Sequence, residues 1–303
     1  MSEIPYLDAA AFARLVPMGA AIDAVARVFS DDGIEVPRRS HLDVGGGDLL
    51  VMPAWGPPGV GVKLVTVGPS NPAAGKPLIN GVYVLFSRDS LEPVLMIDGA
   101  AVTALRTPAV SAVATRYLAA PGAKRLVIFG GGTQARGHLE AMRAVREIAS
   151  VVVVTRSPES AAALVDEARA LGLDARPGGP EDVGDADIVC TCTTCATPLF
   201  DGRALAAGAH VNAVGAYRPE ARELDDATIL RATVVVEDRG AALAEAGDLL
   251  QPIESGVLDV GAVLELRDVI REGRPDAELT VFKSVGLASE DLAVAAAALE
   301  ALG

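Results

Sequence analysis

A short apolar run, Arg125–Phe129, ends in Gly130-Gly131-Gly132-Thr133-Gln134-Ala135 and passes directly into a helical pattern over Gln134–Glu147. A second apolar run, Val151–Thr155, follows at once. Strand, glycine turn, helix and strand in that order make a βαβ unit, and the turn has the G-x-G-x-x-A form. Gly130 permits a tight turn, Gly132 lets the backbone approach a diphosphate, and Ala135 allows the helix to pack closely on the strand. Thr133 and Gln134 stand at the helix start, where free amides and the helix dipole favour an anion. The spacing predicts a dinucleotide site; the alternative is a plain flexible loop.

The alternation continues. A helical pattern over Glu159–Leu171 is followed by strands at Ile188–Cys192, His210–Val214 and Thr233–Val236, with helical segments between. Short all-apolar strands alternating with helices predict a parallel sheet covered on both faces. The first part of the chain reads differently. Leu7–Phe29 has helical spacing, and short β-like runs follow at Leu49–Met52, Val60–Val67, Gly81–Phe86 and Pro93–Ile97, separated by proline and glycine clusters. That pattern predicts an antiparallel meander, and Thr107–Ala119 a helix. The chain closes with a strand, Leu279–Phe282, and an alanine-rich helix from Glu290. The expectation is an α/β protein: a Rossmann-type doubly wound domain over 122–279, and a smaller α+β domain built from 1–121 and 280–303.

Composition bounds the function. In 303 residues, 26 basic side chains against 40 acidic ones give a net charge of −14, without a lysine or arginine cluster. Such a chain is a poor ligand for nucleic acid. Its apolar stretches fall short of the roughly 20 residues of a spanning helix, and Met1–Met18 lacks a signal-peptide pattern, so a soluble cytoplasmic protein is expected. Cys190, Cys192 and Cys195 lie in one segment. Read as zinc ligands they need a fourth, and His41, His138 and His210 are scattered; the segment reads instead as the end of a buried strand, and no metal is expected.

The end of the second strand selects between cofactors. NAD sites usually place Asp or Glu there for the ribose hydroxyls. This chain has Thr155-Arg156-Ser157. Arg156 can pair with a 2′-phosphate and the two hydroxyls can bond to it, so NADP(H) is favoured over NAD(H). A solvated surface arginine is the alternative.

Separated motifs complete the reading: Val51-Met52-Pro53-Ala54, Val62-Lys63-Leu64-Val65, Asp98-Gly99, Thr103-Ala104-Leu105-Arg106-Thr107 and the turn ending Gln134-Ala135-Arg136. To these are added His210-Val211-Asn212-Ala213-Val214-Gly215-Ala216, Arg218-Pro219, Arg222-Glu223-Leu224-Asp225-Asp226, Glu245-Ala246-Gly247-Asp248 and Phe282-Lys283-Ser284. Together they resemble the ornithine cyclodeaminase/μ-crystallin family over nearly the whole chain. The resemblance implies a homodimer with a split substrate domain and a nicotinamide domain. It implies reduction of imino acids, dehydrogenation of amino acids, or cyclisation of ornithine with loss of ammonia. It places Arg39 and Arg106 on the substrate carboxylate, Lys63 beside the reacting carbon and nitrogen, and Thr193, Val214, Gly215 and Ser284 with the cofactor. Tyr217 falls where the cyclodeaminases carry an aspartate, which points away from ornithine cyclisation and toward the ketimine-reductase branch.

The residue types suit imine reduction on their own terms. Arginine is a planar, permanently charged clamp for a carboxylate. Strand alternation sets Lys63 with Val65 and Val67 on a largely apolar face, where a lowered pKa makes it a proton donor. Alternatives stay open: Lys63 reaching solvent from a sheet edge, Arg106 paired with Asp98, Arg38 rather than Arg39 facing inward, and Tyr217 as a packing residue. Asp225 and Asp226 read as a helix start. Two further functions stay open as well, an alanine-type dehydrogenase or cyclodeaminase, and a protein that holds NADPH without turnover.

Overall fold

Pro17 splits the segment read as one helix over Leu7–Phe29. In the computed structural model, which describes residues 4–303, the chain forms α1 (Ala9–Leu15) and α2 (Met18–Ser30), bent by 77°. Proline has no amide hydrogen to continue α1, and it stands as the N-cap of α2. Among the described residues no single helix is long and apolar enough to cross a membrane.

The described chain divides into two units, one running to Val110 and resuming at Gly286–Gly303, the other comprising Ser111–Val285. In the first, β1 (Tyr6–Leu7), β2 (Ser40–Asp43), β3 (Asp48–Gly56), β4 (Gly59–Val67), β5 (Ile79–Phe86) and β6 (Pro93–Asp98) form one sheet in the order β1-β6-β5-β4-β3-β2. The expected meander is present: β2 to β6 pair antiparallel in sequence, and β1 adds in parallel to β6. Asp98 accepts the amides of Ala100 and Ala101, both at 2.9 Å, and so starts α3 (Gly99–Leu118) eight residues before the expected Thr107. The last helix of the chain, α10 (Ala288–Leu302), packs on α2 and on β3 to β5. Its alanines allow that close approach: Val294, Ala295 and Ala298 are fully buried, as are Ile22 and Val25 of α2 and Leu85 of β5.

In the second unit β7 (Arg125–Phe129), α4 (Thr133–Val145), β8 (Ser150–Val154), α5 (Pro158–Ala170) and β9 (Asp174–Pro177) are followed by β10 (Ile188–Thr191) and β11 (His210–Ala213). Then come α6 (Asp226–Arg231), β12 (Ala232–Val236), α7 (Arg239–Glu245), α8 (Gly247–Glu254), β13 (Leu264–Glu265), α9 (Leu266–Glu272) and β14 (Leu279–Lys283). All eight strands pair in parallel, in the order β13-β12-β14-β11-β10-β7-β8-β9. This is the expected α/β fold with its Rossmann-type sheet. The reading of Leu279–Phe282 as part of the first domain is corrected: β14 lies between β11 and β12, with Thr280 in register with His210 and Thr233. Five consecutive buried residues need a neighbour strand on each side, and that sheet supplies both. The unit boundaries therefore fall inside α3 and after Val285 rather than at 121 and 280.

Candidate active site

Strand order in the second unit runs outward from β7 through β8 to β9 on one side, and through β10 to β11 on the other. Such a reversal opens a crevice beyond the carboxyl ends of the two central strands, here β7 and β10. The glycine turn fills the β7 end. Gly130 has φ +113°, a region closed to most side chains, and a Cβ there would lie 2.6 Å from the carbonyl oxygen of Cys192. Its amide is tied to Val154 O at 2.9 Å. At Gly132 a Cβ would meet nothing within 4 Å, and no side chain caps α4. Gly132 and Thr133 are exposed, Gln134 is half-buried, and Ala135 is buried where the helix meets the sheet. An uncapped helix start with open space over it fits the diphosphate of a dinucleotide.

At the end of β8, Thr155 donates its hydroxyl to Ser157 O at 2.6 Å, and Ser157 donates to Glu159 at 2.7 Å while capping α5. Both hydroxyl protons are thus committed locally, and Arg156 is the exposed group of the three.

The loops after β10 and β11 carry Thr193, Val214 and Gly215, and a residue the sequence reading did not single out holds them. Glu223, fully buried, accepts the hydroxyl of Thr191, the amide and hydroxyl of Thr193, and the amide of Gly215. Asp248 in turn accepts the amides of Glu223 and Leu224 at 2.7 and 2.9 Å and pairs with Lys283 at 2.9 Å, and Lys283 also donates to Ala216 O. All three charged residues lie within the motifs quoted above, yet nothing local marks them as partners. Ser284 is buried with its hydroxyl on Glu237. Tyr217 is half-buried with Arg218 stacked at 5.8 Å, and Asp225 N-caps α6 as expected of a helix start. Cys190 is buried in β10 against Asn212, the core position expected for it.

In the first unit Lys63 and Arg106 come together. Lys63 is 1% exposed on β4, between Met52 and Tyr83 in the neighbouring strands, so it does not reach solvent. Its Nζ lies 2.7 Å from Asp291 Oδ1. Arg106, 6% exposed on α3, places Nε 3.2 Å from the same oxygen and Nη1 3.0 Å from Glu290 Oε2. The alternative pairing of Arg106 with Asp98 is set aside, since Asp98 caps α3. Burial pushes the Lys63 ammonium down to about 8, against the pull of Asp291. Glu290 and Asp291 read in the sequence as a helix start, which they are. The further signal was two acids opening an otherwise apolar helix in a fold that buries a lysine and an arginine. Arg39 is half-buried just ahead of the edge strand β2, and Arg38 beside it is exposed.

Residues 14–302 match the ornithine cyclodeaminase/mu-crystallin family. The chain belongs to that family. It is 41% identical to the Δ1-pyrroline-2-carboxylate reductase of Bacillus cereus, over 93% of this chain and 91% of the relative. The solved Δ1-pyrroline-2-carboxylate reductase of Thermococcus litoralis, in complex with NADH and L-proline, superposes with a TM-score of 0.93 at 32% identity, covering 98% of this chain and 96% of that one. An archaeal alanine dehydrogenase dimer with bound NAD gives a TM-score of 0.94 at 30% identity, covering 98% and 95%. The family expected from the motifs is the family found, and both solved neighbours share the fold described above.

Proposed function

We propose that this chain is an NAD(P)H-dependent reductase of small α-imino carboxylates, of the Δ1-pyrroline-2-carboxylate or Δ1-piperideine-2-carboxylate type. The observation that carries the reading is the buried pairing of Lys63 with Arg106 through Asp291, in a chain that also has an open glycine turn at a strand-order reversal. The relatives named as reductases, and the neighbour with bound NADH and proline, support it.

In this reading Arg106, assisted by Arg39, takes the substrate carboxylate on a flat, permanently charged surface. Lys63 is charged at neutral pH but acidic enough to give a proton to the imine nitrogen. Reduced nicotinamide, when bound, supplies the hydride for the imine carbon. Gly130, Gly132, Thr133, Gln134 and Ala135 hold the diphosphate, and Thr193, Val214 and Gly215 line the loops toward the ring. Ser284 supports that region from within, its hydroxyl held by Glu237. Arg156, flanked by Thr155 and Ser157, favours NADPH. The first unit is then the substrate and dimerisation domain and the second the cofactor domain, in a cytoplasmic homodimer. The outward face of the first unit's sheet supports the dimer, because Trp55, Val62, Leu64, Val84 and Met96 leave it apolar and only partly covered.

The test is to mix the purified protein with NADPH or NADH and a panel of cyclic and linear imino acids, following nicotinamide absorbance. Oxidation with a cyclic imino carboxylate is the expected result. Turnover only with pyruvate and ammonia would replace the reading with an alanine-type dehydrogenase. Ammonia release from ornithine would replace it with a cyclodeaminase. Tight cofactor binding without any turnover would leave a binding protein.

A further inference from the structure

Lys63 is one of four charged side chains that meet in the first unit. Asp291 and Glu290 reach in from the first turn of α10, Arg106 from α3 and Lys63 from β4, while Tyr83 of β5 flanks the lysine with its hydroxyl buried. They are two cations and two carboxylates. Asp291 stands at the centre of this set, because its Oδ1 touches both Lys63 Nζ at 2.7 Å and Arg106 Nε at 3.2 Å, whereas Glu290 is paired with Arg106 Nη1. The first turn of α10 has no side-chain cap, so its amides favour the negative charge held there. Asp291 is fully buried, and neither its Oδ2 nor the Tyr83 hydroxyl has a hydrogen-bond partner among the described residues.

We propose that Asp291 is the positioning residue of this site, fixing the Lys63 ammonium and the Arg106 guanidinium relative to each other and keeping Lys63 protonated between turnovers. As part of a substrate site the proposal rests on the imino-acid reductase reading; the effect on Lys63 itself does not. The logic is electrostatic. Removing the Asp291 charge takes away the carboxylate in contact with Lys63 and leaves the Arg106 cation beside it. Arginine cannot give up its proton, so Lys63 is the group that yields. Lys63 is 1% exposed, between Met52 and Tyr83 of the neighbouring strands, so bulk solvent screens its charge little.

The chain has four lysines, Lys63, Lys76, Lys124 and Lys283, so 13C labelling at lysine Cε gives a spectrum simple enough to follow each one, with Lys63→Met providing the assignment. In the wild-type protein Lys63 is expected to titrate near 8. In Asp291→Asn its midpoint is expected to fall by about one pH unit or more; the same midpoint in both proteins overturns the proposal. Glu290→Gln keeps the Lys63 contact and serves if Asp291→Asn does not fold. It is expected to shift Lys63 by less than about half a unit, and a fall of a full unit or more assigns the effect to α10 as a whole and overturns the role of Asp291. The high-pH limb of kcat/KM for imine reduction is measured on the same proteins and is expected to move with the Lys63 midpoint. The resonance decides the role of Asp291 and wild-type turnover decides the reductase reading, so failure of one is distinguishable from failure of the other.

Discussion

The guanidinium of Arg106 lies against the backbone of Gly286: a Cβ placed on Gly286 would fall 2.3 Å from Nη1, 2.5 Å from Nη2 and 2.7 Å from Cζ. Gly286 also has φ +81°, in the left-handed region. Gly286→Ala therefore displaces the guanidinium from the position in which it pairs with Glu290 and Asp291, and strains the backbone by about 1–2 kcal/mol. The expected outcome is a rise in KM for the imino acid of about tenfold or more, with the affinity for nicotinamide cofactor unchanged within about twofold. Unchanged KM in a folded Gly286→Ala protein would remove Arg106 from substrate binding.

A second prediction concerns Glu223, whose one oxygen takes the amide and hydroxyl of Thr193 at 2.9 and 2.7 Å and whose other takes the hydroxyl of Thr191 and the amide of Gly215, both at 2.7 Å. Glutamine has a single acceptor end, so Glu223→Gln orphans two of these four donors, at about 1–3 kcal/mol each. Cofactor affinity is expected to fall about tenfold, measured by the change in nicotinamide fluorescence on binding. Hydrogen exchange should show lost protection at the amides of Thr193 and Gly215, with Val127 and Ile128 in β7 unaffected. Retained protection at both loop amides would mean that the carboxylate does not hold them.

The pH dependence of turnover follows from Lys63. Its proton is present below about 8 and lost above it. Imine reduction is expected to decline above that value and amino-acid oxidation, which needs the neutral amine to take a proton, to rise over the same range. Lys63→Met is expected to lower kcat by about 100-fold or more while leaving cofactor binding intact. Full turnover in Lys63→Met would end the proton-donor assignment.

Acid stability of the second unit follows from two buried histidines. Burial holds His138 at about 4 and His210 at about 3; the first is bonded to Gln134 O and Ser111, the second to Thr280 and Asn212. In the unfolded chain each takes a proton near 6.5. The unfolded state therefore binds more protons below that value, and the stability these groups contribute is complete above about 6.5 and lost as pH falls toward their folded values. Each contributes a slope of about 1.4 kcal/mol per pH unit in that window. The fall in Tm between pH 6.5 and 4.5 is expected to be shallower in His138→Gln and His210→Gln than in the wild-type protein. An equal fall in all three proteins would locate acid lability elsewhere.

These sites differ in how far the sequence exposes them. The glycine turn is legible because strand, turn and helix are contiguous, and each residue there works through its own backbone. Lys63 is legible to the extent that strand alternation assigns its face. Asp291, 228 residues further on, is not, since nothing local distinguishes a helix-starting acid from an ion-pair partner. Glu223 is hidden for the same reason: its donors come from two other loops. Within the fold, Pro17 is a local break set inside a strong helical period that masks it. β14 carries no local mark of which sheet it joins, and the two-residue β1 and β13 are too short for any periodicity. Local chemistry was readable; long-range pairing was not.

Cofactor choice is the last prediction, and it turns on Arg156 against Glu159. Arg156 is exposed at the end of β8, and it helps Thr197 hold the Cys195 thiol below its usual value. It follows β8 at the carboxyl end of the parallel sheet, the end where the cofactor is expected. The neighbouring carboxylate of Glu159 is held by Ser157 at 2.7 Å, so a 2′-phosphate arriving here meets one cation and one anion. Arg156→Asp adds a second anion and removes the only cation of the Thr155-Arg156-Ser157 run. The ratio of NADPH to NADH affinity is expected to fall about 10- to 100-fold, chiefly through NADPH, because NADH lacks the phosphate that the guanidinium would bind. Glu159→Gln is expected to move the ratio the other way, by less, since it removes a repulsion in a solvated position. Dissociation constants for both cofactors, measured at one ionic strength, decide the matter. If Arg156→Asp leaves the ratio where it was, the arginine is a solvated surface residue and the preference for NADPH falls with it.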